Sequence, residues 1–527
     1  EIARERDAFF ITFTIQEGQS FNIGKVSVVS EIEGVDAAEF EAMLKMRPGV
    51  TYSPAIIDNN ISRMESLTLK KGLNFVRIDP RITRNERDLT LDIEFALVRG
   101  PKVFVERIDV EGNTTTLDQV VRRQFRTVEG DPFNPREVRQ SAERIRALGF
   151  FSDARVNAEP GSSTDQVVVK VGVDEQPTGS LSLGVSYSVA SGPGFNIGLT
   201  ESNFLGRGQF IGVNIATGTD NINSSITFTE PFFLGRDLAF KFTAFYNTTD
   251  NDNSFYSTRS IGISPALEFP ISEFGRLELR YKLGEDKIFS VDRGDLANPG
   301  LDNGSSVILL QEEAQGALLA SSIGYTFSYD TRLNGLDPKG GFLLRFGQDF
   351  AGLGGDIDRI TTTALGLAER RVFSEDVTLR VVVEGGAVHM LNGDSRVTDR
   401  FFGNGKIRGF EINGLGPRDL AATNEDNLGG NLFAVARFEA DFPLGLPEEY
   451  GITGGLFMDV GSVWSLDNVS GTGGNLVDDD LHLRSSIGFS IFWTTPLGPL
   501  RLNFSKAIKK KSYDSELPFD LTVSTKF

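Results

Sequence analysis

Residues 179–188 read Gly-Ser-Leu-Ser-Leu-Gly-Val-Ser-Tyr-Ser. Leu181, Leu183, Val185, Tyr187 and then Val189 alternate with Ser182, Gly184, Ser186 and Ser188. Side chains two apart on a strand share a face, so this stretch is a strand with one apolar face and one small, polar face. The same period of two recurs far downstream. Leu238, Phe240 and Phe242 alternate with Ala239, Lys241 and Thr243, and Leu500, Leu502 and Phe504 alternate with Arg501, Asn503 and Ser505. Two architectures fit such strands. In a soluble sandwich the apolar faces pack on each other and the polar faces meet water, whereas in a membrane barrel the apolar face meets lipid and the polar face lines the lumen.

Connection lengths separate the two. Sixteen strand candidates lie between Gly179 and Phe527, and the long connections (Lys287 to Gln315, Leu391 to Gly429, Ser465 to Asp480) all fall at one end. The connections at the other end are mostly short: Phe204 to Gly208, Pro231 to Arg236, Pro270 to Gly275, Pro443 to Tyr450 and Pro496 to Gly498. Short turns on one side, long loops on the other and an even strand count are the pattern of an outer-membrane barrel, whose closure also removes exposed edges. In the last strand Phe519, Leu521, Val523 and Phe527 alternate with Asp520, Thr522, Ser524 and Lys526, which sets a C-terminal aromatic at the interface expected on the short-turn side.

Composition agrees. The chain has 42 Phe against 9 Tyr and 2 Trp, with 57 Gly, as many short strands would require. At 527 residues more than one domain is expected. A net charge of −19 argues against a general nucleic-acid binder. There is no cysteine, which fits an oxidising compartment. No run approaches the ~20 apolar residues of a membrane-spanning helix.

Upstream of Gln176 the period changes to that of α+β modules. Lys25 to Ser30 reads as a strand, Asp36 to Met46 and Ser53 to Lys71 as helices, and Asn74 to Ile82 and Asp88 to Phe95 as strands. The order recurs about eighty residues later: strand Val103 to Glu111, helices Thr116 to Phe125 and Asn134 to Leu148, strands Ala154 to Ala158 and Val167 to Val173. Gly72 and Gly149 stand where each second helix ends, and Gly49 and Gly130 in the turn between the helices. The strand-like run Phe9 to Ile15 leads to the expectation that residues 1–20 end a module whose upstream part is missing. The expected organisation is therefore 1–20, a βααββ module at 21–99, a second at 100–176, and a barrel at 177–527 with a long inserted loop at 391–429.

Within that loop stands Lys406-Ile407-Arg408-Gly409-Phe410. A structureless loop of this length in a compact fold is usually functional or disordered. Gly409 permits a tight path, Arg408 carries a planar fork of donors suited to carboxylates, and Phe410 supplies apolar area, so the tip either inserts into something or is an exposed basic turn. Catalytic motifs are missing: His389 and His482 are the only histidines, and neither HExxH nor GxSxG occurs. Asp478-Asp479-Asp480 is a candidate for a hard cation, although a solvated loop accounts for it as well, and no metal or cofactor is expected.

Together the tandem modules, the sixteen strands, K-I-R-G-F at Lys406 to Phe410, G-L-F-M-D-V-G at Gly455 to Gly461, T-P-L-G-P-L at Thr495 to Leu500 and the aromatic C-terminus resemble the BamA family of outer-membrane β-barrel assembly factors, which pair POTRA modules with a sixteen-stranded barrel. The resemblance covers essentially the whole chain. It implies an outer-membrane barrel with POTRA modules in the periplasm and a non-enzymatic activity, the folding and insertion of other barrels. The implied partners are nascent outer-membrane barrels, accessory outer-membrane lipoproteins, periplasmic chaperones and the bilayer, with no nucleic acid. It further implies that Ile407, Arg408, Gly409 and Phe410 form a loop brace, with Glu439 and Asp459 as the lumen partners of Arg408. Parity agrees: Leu456, Met458 and Val460 share the lipid face and turn Asp459 inward, and Phe438, Ala440 and Phe442 turn Glu439 inward. Two routes of insertion are expected, strand addition to the modules and opening of a seam between Gly179 to Ala190 and Leu517 to Phe527. A two-partner secretion transporter and a translocation-and-assembly paralogue are the alternative members of the same superfamily.

Overall fold

The computed structural model describes the chain except residues 1, 6–7, 12–18, 74, 101, 189–191, 219–220, 251–253, 273, 296, 298–301, 333–339, 374–375, 496–497 and 527. It divides into two compact units, residues 1–113 with 121–175 and residues 114–120 with 176–527.

The first unit opens with a hairpin of β1 (Ile2–Glu5) and β2 (Ala8–Ile11). Residues 12–15 of the strand read from sequence lie outside the described residues. Then β3 (Asn22–Ser30), α1 (Ala37–Glu41), α2 (Pro54–Lys70), β4 (Val76–Asn85) and β5 (Thr90–Arg99) form a sheet in the order β3-β5-β4, with β3 parallel to β5. Phe40 from α1, Ile57, Ile61 and Met64 from α2, and Ile93 and Phe95 from β5 are buried together. The next five elements, β6 (Phe104–Glu111), α3 (Asp118–Arg122), α4 (Pro135–Ala147), β7 (Phe151–Pro160) and β8 (Gln166–Glu175), repeat the arrangement in the order β6-β8-β7. The start of α4 is set locally: Asn134 Oδ1 accepts from the Arg136 N–H at 3.0 Å, and Pro135 follows with its ready-made φ. Its apolar face, Val138, Ala142 and Ile145, is buried. Arg136 stitches the two sheets' helices together by donating to Glu65 (2.9 Å) and to the Ser62 hydroxyl (2.6 Å) on α2.

Both first helices are shorter than their apolar spacing suggests. After α1 the Lys45 N–H leaves the helical path to donate to Asn60 Oδ1 at 2.8 Å, and Pro48 follows. After α3 the Gln124 carbonyl accepts from Arg144 Nε at 2.7 Å, a side chain standing where a further helical turn would bond.

The second unit is a closed antiparallel barrel of sixteen strands. Its first half is β9 (Gly179–Ser188), β10 (Gly192–Phe204), β11 (Gln209–Thr217), β12 (Ile222–Glu230), β13 (Ala239–Asp250), β14 (Ser257–Pro270), β15 (Gly275–Phe289) and β16 (Ala317–Asp330). Its second half is β17 (Gly340–Gly355), β18 (Arg359–Val372), β19 (Val377–Met390), β20 (Leu432–Pro443), β21 (Ile452–Trp464), β22 (Arg484–Thr495), β23 (Gly498–Lys509) and β24 (Phe519–Lys526). The apolar face is outside. Leu181, Leu183, Val185 and Tyr187 are 43–63% exposed, and Phe438, Leu456 and Met458 are similarly bare. The polar face is inside, where Asp459, Ser486, Ser490 and Asn503 are buried and the last two share a 2.7 Å hydrogen bond.

The long connections, 290–316, 391–431 and 465–483, gather at one end and pack on each other. The first carries α5 (Val307–Ala314), whose Ile308 and Leu309 join Val291, Val397, Leu428, Leu466 and Val477 in a core of their own. Polar groups in this cap are matched as well. The buried Glu312 accepts from Arg400 (2.6 Å) and from the Val397 N–H (2.9 Å); burial pushes its carboxyl above the ordinary range even so.

At the seam, β24 runs opposite β9 from Thr522 against Ser188 to Lys526 against Gly184. Among the described residues Gly179 to Leu183 pair with β10 alone, and β10 follows β9 all the way to Gly179.

Candidate functional site

Connection 391–431 does not stay in the cap. Its tip descends against the inner wall, where Gly409 has a φ of 87° and a Cβ on it would stand 3.2 Å from that of Ser505 on β23. Both the left-handed backbone and the close approach to the wall call for glycine. On either side Ile407 and Phe410 are buried with Leu415, Phe433, Val435 and Val463. The apolar neighbours thus anchor the tip, and the cation between them is carried into the wall.

Arg408 meets Asp459 side on. Its Nε donates to Oδ2 at 2.7 Å, one terminal nitrogen to Oδ1 at 2.6 Å, and its backbone N–H also donates to Oδ2, at 2.9 Å. The other terminal nitrogen lies 2.6 Å from Glu439 Oε1. Asp459 is fully buried, so without the guanidinium its charge would lie uncompensated out of water. The guanidinium carbon also stands over the Phe457 ring, 3.8 Å from its centroid. Phe457 in turn sits over Gly488 of β22, where a side chain would collide with the ring.

The structure brings Arg408, Glu439 and Asp459 into one network and adds members that sequence reasoning missed. Arg380 on β19 donates to the same Glu439 at 3.0 Å and stands 3.5 Å from Asp441. Lys406, beside the tip, donates to Glu384 (2.9 Å), which also pairs with Arg437 (2.9 Å). Parity carried a signal for most of them. Val381 and Val383 face outward on β19 and turn Arg380 and Glu384 inward, as Leu456 and Met458 turn Phe457 inward.

Other sequence candidates fall elsewhere. In the C-terminal strand Phe519 is partly exposed and rests against Phe504, ring centroids 5.2 Å apart, and Leu521 is half-buried. The side chain of Val523 and the whole of Phe527 lie outside the described residues. His389 is on β19 and His482 in connection 465–483, with no hydrogen bond between them among the described residues. In the acidic run Asp479 turns away to accept from the Leu466 N–H, while ligand atoms of Asp478, Asp480 and His482 come within 4.8 Å of one another. Asp478 is engaged already, accepting from Tyr513 at 3.0 Å and lying 2.6 Å from His482 Nε2.

Residues 203–527, more than half of the chain, match the Omp85 superfamily domain, and residues 103–176 match the POTRA model described as a surface antigen variable number repeat. The outer membrane protein assembly factor BamA of Neorickettsia risticii (strain Illinois) is 29% identical over 510 residues, covering 96% of this chain and 66% of the relative. BamA of Neisseria meningitidis serogroup B is 25% identical over 554 residues, covering 98% of this chain and 68% of the relative. The chain thus spans about two thirds of the length of these curated relatives. Among solved structures, BamA from Haemophilus ducreyi lacking POTRA domains 1-3 superposes with a TM-score of 0.67 at 22% identity, covering 96% of this chain and all of that one. CdiB from Acinetobacter baumannii superposes at 0.54 with 13% identity, covering 97% of this chain and 91% of that one.

Proposed function

Because the chain belongs to the Omp85 superfamily, and within it is similar to BamA assembly factors over nearly its whole length, we propose that it folds and inserts β-barrel proteins into a bacterial outer membrane, with its POTRA-type modules (21–99 and 100–176) in the periplasm. The activity is non-enzymatic: strand pairing supplies the free energy. Its clients are nascent outer-membrane barrels delivered by periplasmic chaperones, and accessory outer-membrane lipoproteins are its partners.

The observation that carries this reading is a closed sixteen-strand barrel and POTRA-type modules built by one chain. β24 closes the barrel on β9 from Thr522 against Ser188 to Lys526 against Gly184, along a strand whose polar positions are Ser and Gly. A seam that opens presents its row of N–H and C=O groups as a template for another strand, and the small polar side chains of β9 do little to lock a register. The module edges β4 and β7 offer the same template before the membrane is reached. Arg408 braces the wall opposite Glu439 and Asp459 while the seam exchanges partners.

The test is reconstitution. Liposomes carrying the protein should accelerate the folding of an unfolded client barrel over empty liposomes, and locking the seam with a Ser186→Cys, Ser524→Cys disulfide should abolish the acceleration until reductant is added. Client folding at the empty-liposome rate, together with a steady ion conductance, would point instead to a secretion transporter.

A further inference from the structure

The tip of connection 391–431 touches a second element besides the β20–β21 wall. The Leu517 N–H donates to the Gly409 carbonyl (3.0 Å), the Glu411 N–H to Ser515 (3.1 Å), and the Ser515 N–H to Gly414 (2.8 Å). Phe410 and Glu516 thus face each other as an antiparallel bridge. Two residues after Leu517 the chain becomes β24, one side of the seam.

Residues 510–516 read Lys-Lys-Ser-Tyr-Asp-Ser-Glu, too polar to be fixed by burial of apolar area. They are fixed by charge instead. Asp514 receives two hydrogen bonds from Arg484 at the head of β22, both 3.0 Å, and one from the Lys511 N–H at 2.7 Å. Both side chains of this pair are essentially inaccessible to water. Arg484 is oriented by a further bond to the His482 carbonyl (3.0 Å), and Tyr513 reaches Asp478 in the same connection.

We propose that Arg484 and Asp514 are positioning residues that hold segment 511–517 against the Gly409 to Gly414 tip, so that the brace loop and the seam move as one coupled element. Withdrawal of the tip removes the backbone partners of residues 515–517 and frees β24 at its entry; fixing the tip holds β24 to β9. This inference rests on the seam being the working edge, and the two are tested apart.

The protein has no cysteine, so a Ser186→Cys, Ser524→Cys pair, opposite each other across the seam, reports seam closure by its oxidation rate in the full chain in liposomes. A pair at Asn214 and Ser225, opposite each other on β11 and β12, is the control. Asp514→Ala should slow seam oxidation about threefold or more and leave the control rate unchanged. Arg408→Lys, which leaves Asp459 a cation but loses the planar fork, should do the same, and the double variant should fall short of the product of the two, as coupled residues do. Should Asp514→Ala fail to fold, Asp514→Asn keeps the shape, loses the charge and carries the same comparison. Unchanged seam oxidation, an equal change at the control pair, or effects that simply multiply would each overturn the coupling. If instead the locked seam leaves client folding intact while the coupling holds, the function proposed above fails and this inference stands.

Discussion

The α+β modules and the barrel are built by one chain with opposite placement of apolar residues. In the modules Phe40, Met64 and Phe95 are wholly buried and charged residues cover the outside. In the barrel Leu181, Leu456 and Met458 are outside, and Asp459, Arg408 and Glu439 are inside. The rule is the same in both: apolar surface leaves water, into a packed core in one case and into lipid in the other. What differs is the consequence for ions. Most module carboxylates stay in water, where pairing adds little, Glu65 on α2 being a shielded exception held by Arg136, whereas the barrel wall holds several where each one needs a partner.

The largest test of that contrast is Arg408→Ala. Removing one partner from a buried pair costs about 3–5 kcal/mol, so folded protein should fall sharply, read as loss of the heat-modifiable band and of client folding. Full folding and activity in this variant would mean that the lumen is wet enough for Asp459 to stand alone.

Next is the meaning of an exposed apolar side chain. Met458 lies midway along β21, and Met458→Arg should destabilise the barrel in a bilayer by about 2–4 kcal/mol, measured by denaturant titration in liposomes. In the second module Val128 is more exposed than Met458, yet Val128→Arg should stay within about 0.5 kcal/mol. Equal tolerance at both positions would place the barrel exterior in water.

A smaller effect belongs to the modules. Asn134→Ala removes the cap of α4 and should cost about 1 kcal/mol, seen as earlier melting of helical signal with the barrel's transition unmoved.

The smallest lies in the cap. Asp292 accepts from Asn424 (2.9 Å) and from the Gly294 N–H (3.0 Å), and these bonds hold its carboxyl below the ordinary value. A depressed group contributes stability above its unfolded pKa and loses it as pH falls through the folded one, so cap loosening from this group sets in only below about pH 4. Protease sensitivity of connection 290–316 should not rise from pH 8 to about pH 5, because the raised carboxyl of Glu312 adds stability as it takes up a proton, and Asp292→Asn should remove this group's share of the acid step. Loosening near neutrality would assign the step to another group.

Period and connection length were enough to read sixteen strands, their outward faces and the two preceding α+β repeats, because alternation and turn residues act within a few positions of each other. They also turned Glu439 and Asp459 inward, since parity follows from the covalent geometry of a strand. They did not reveal where the first helices of the modules stop, because Asn60 and Arg144, which hold the chain beyond those ends, arrive from another helix. Nor did they reveal that Arg408 lies on Phe457, that Arg380 shares Glu439, or that Leu517 is bonded to Gly409. Those partners sit some fifty to a hundred positions apart, and only closure of the barrel, which curls β19 to β24 around the descending loop, brings their atoms within hydrogen-bonding reach.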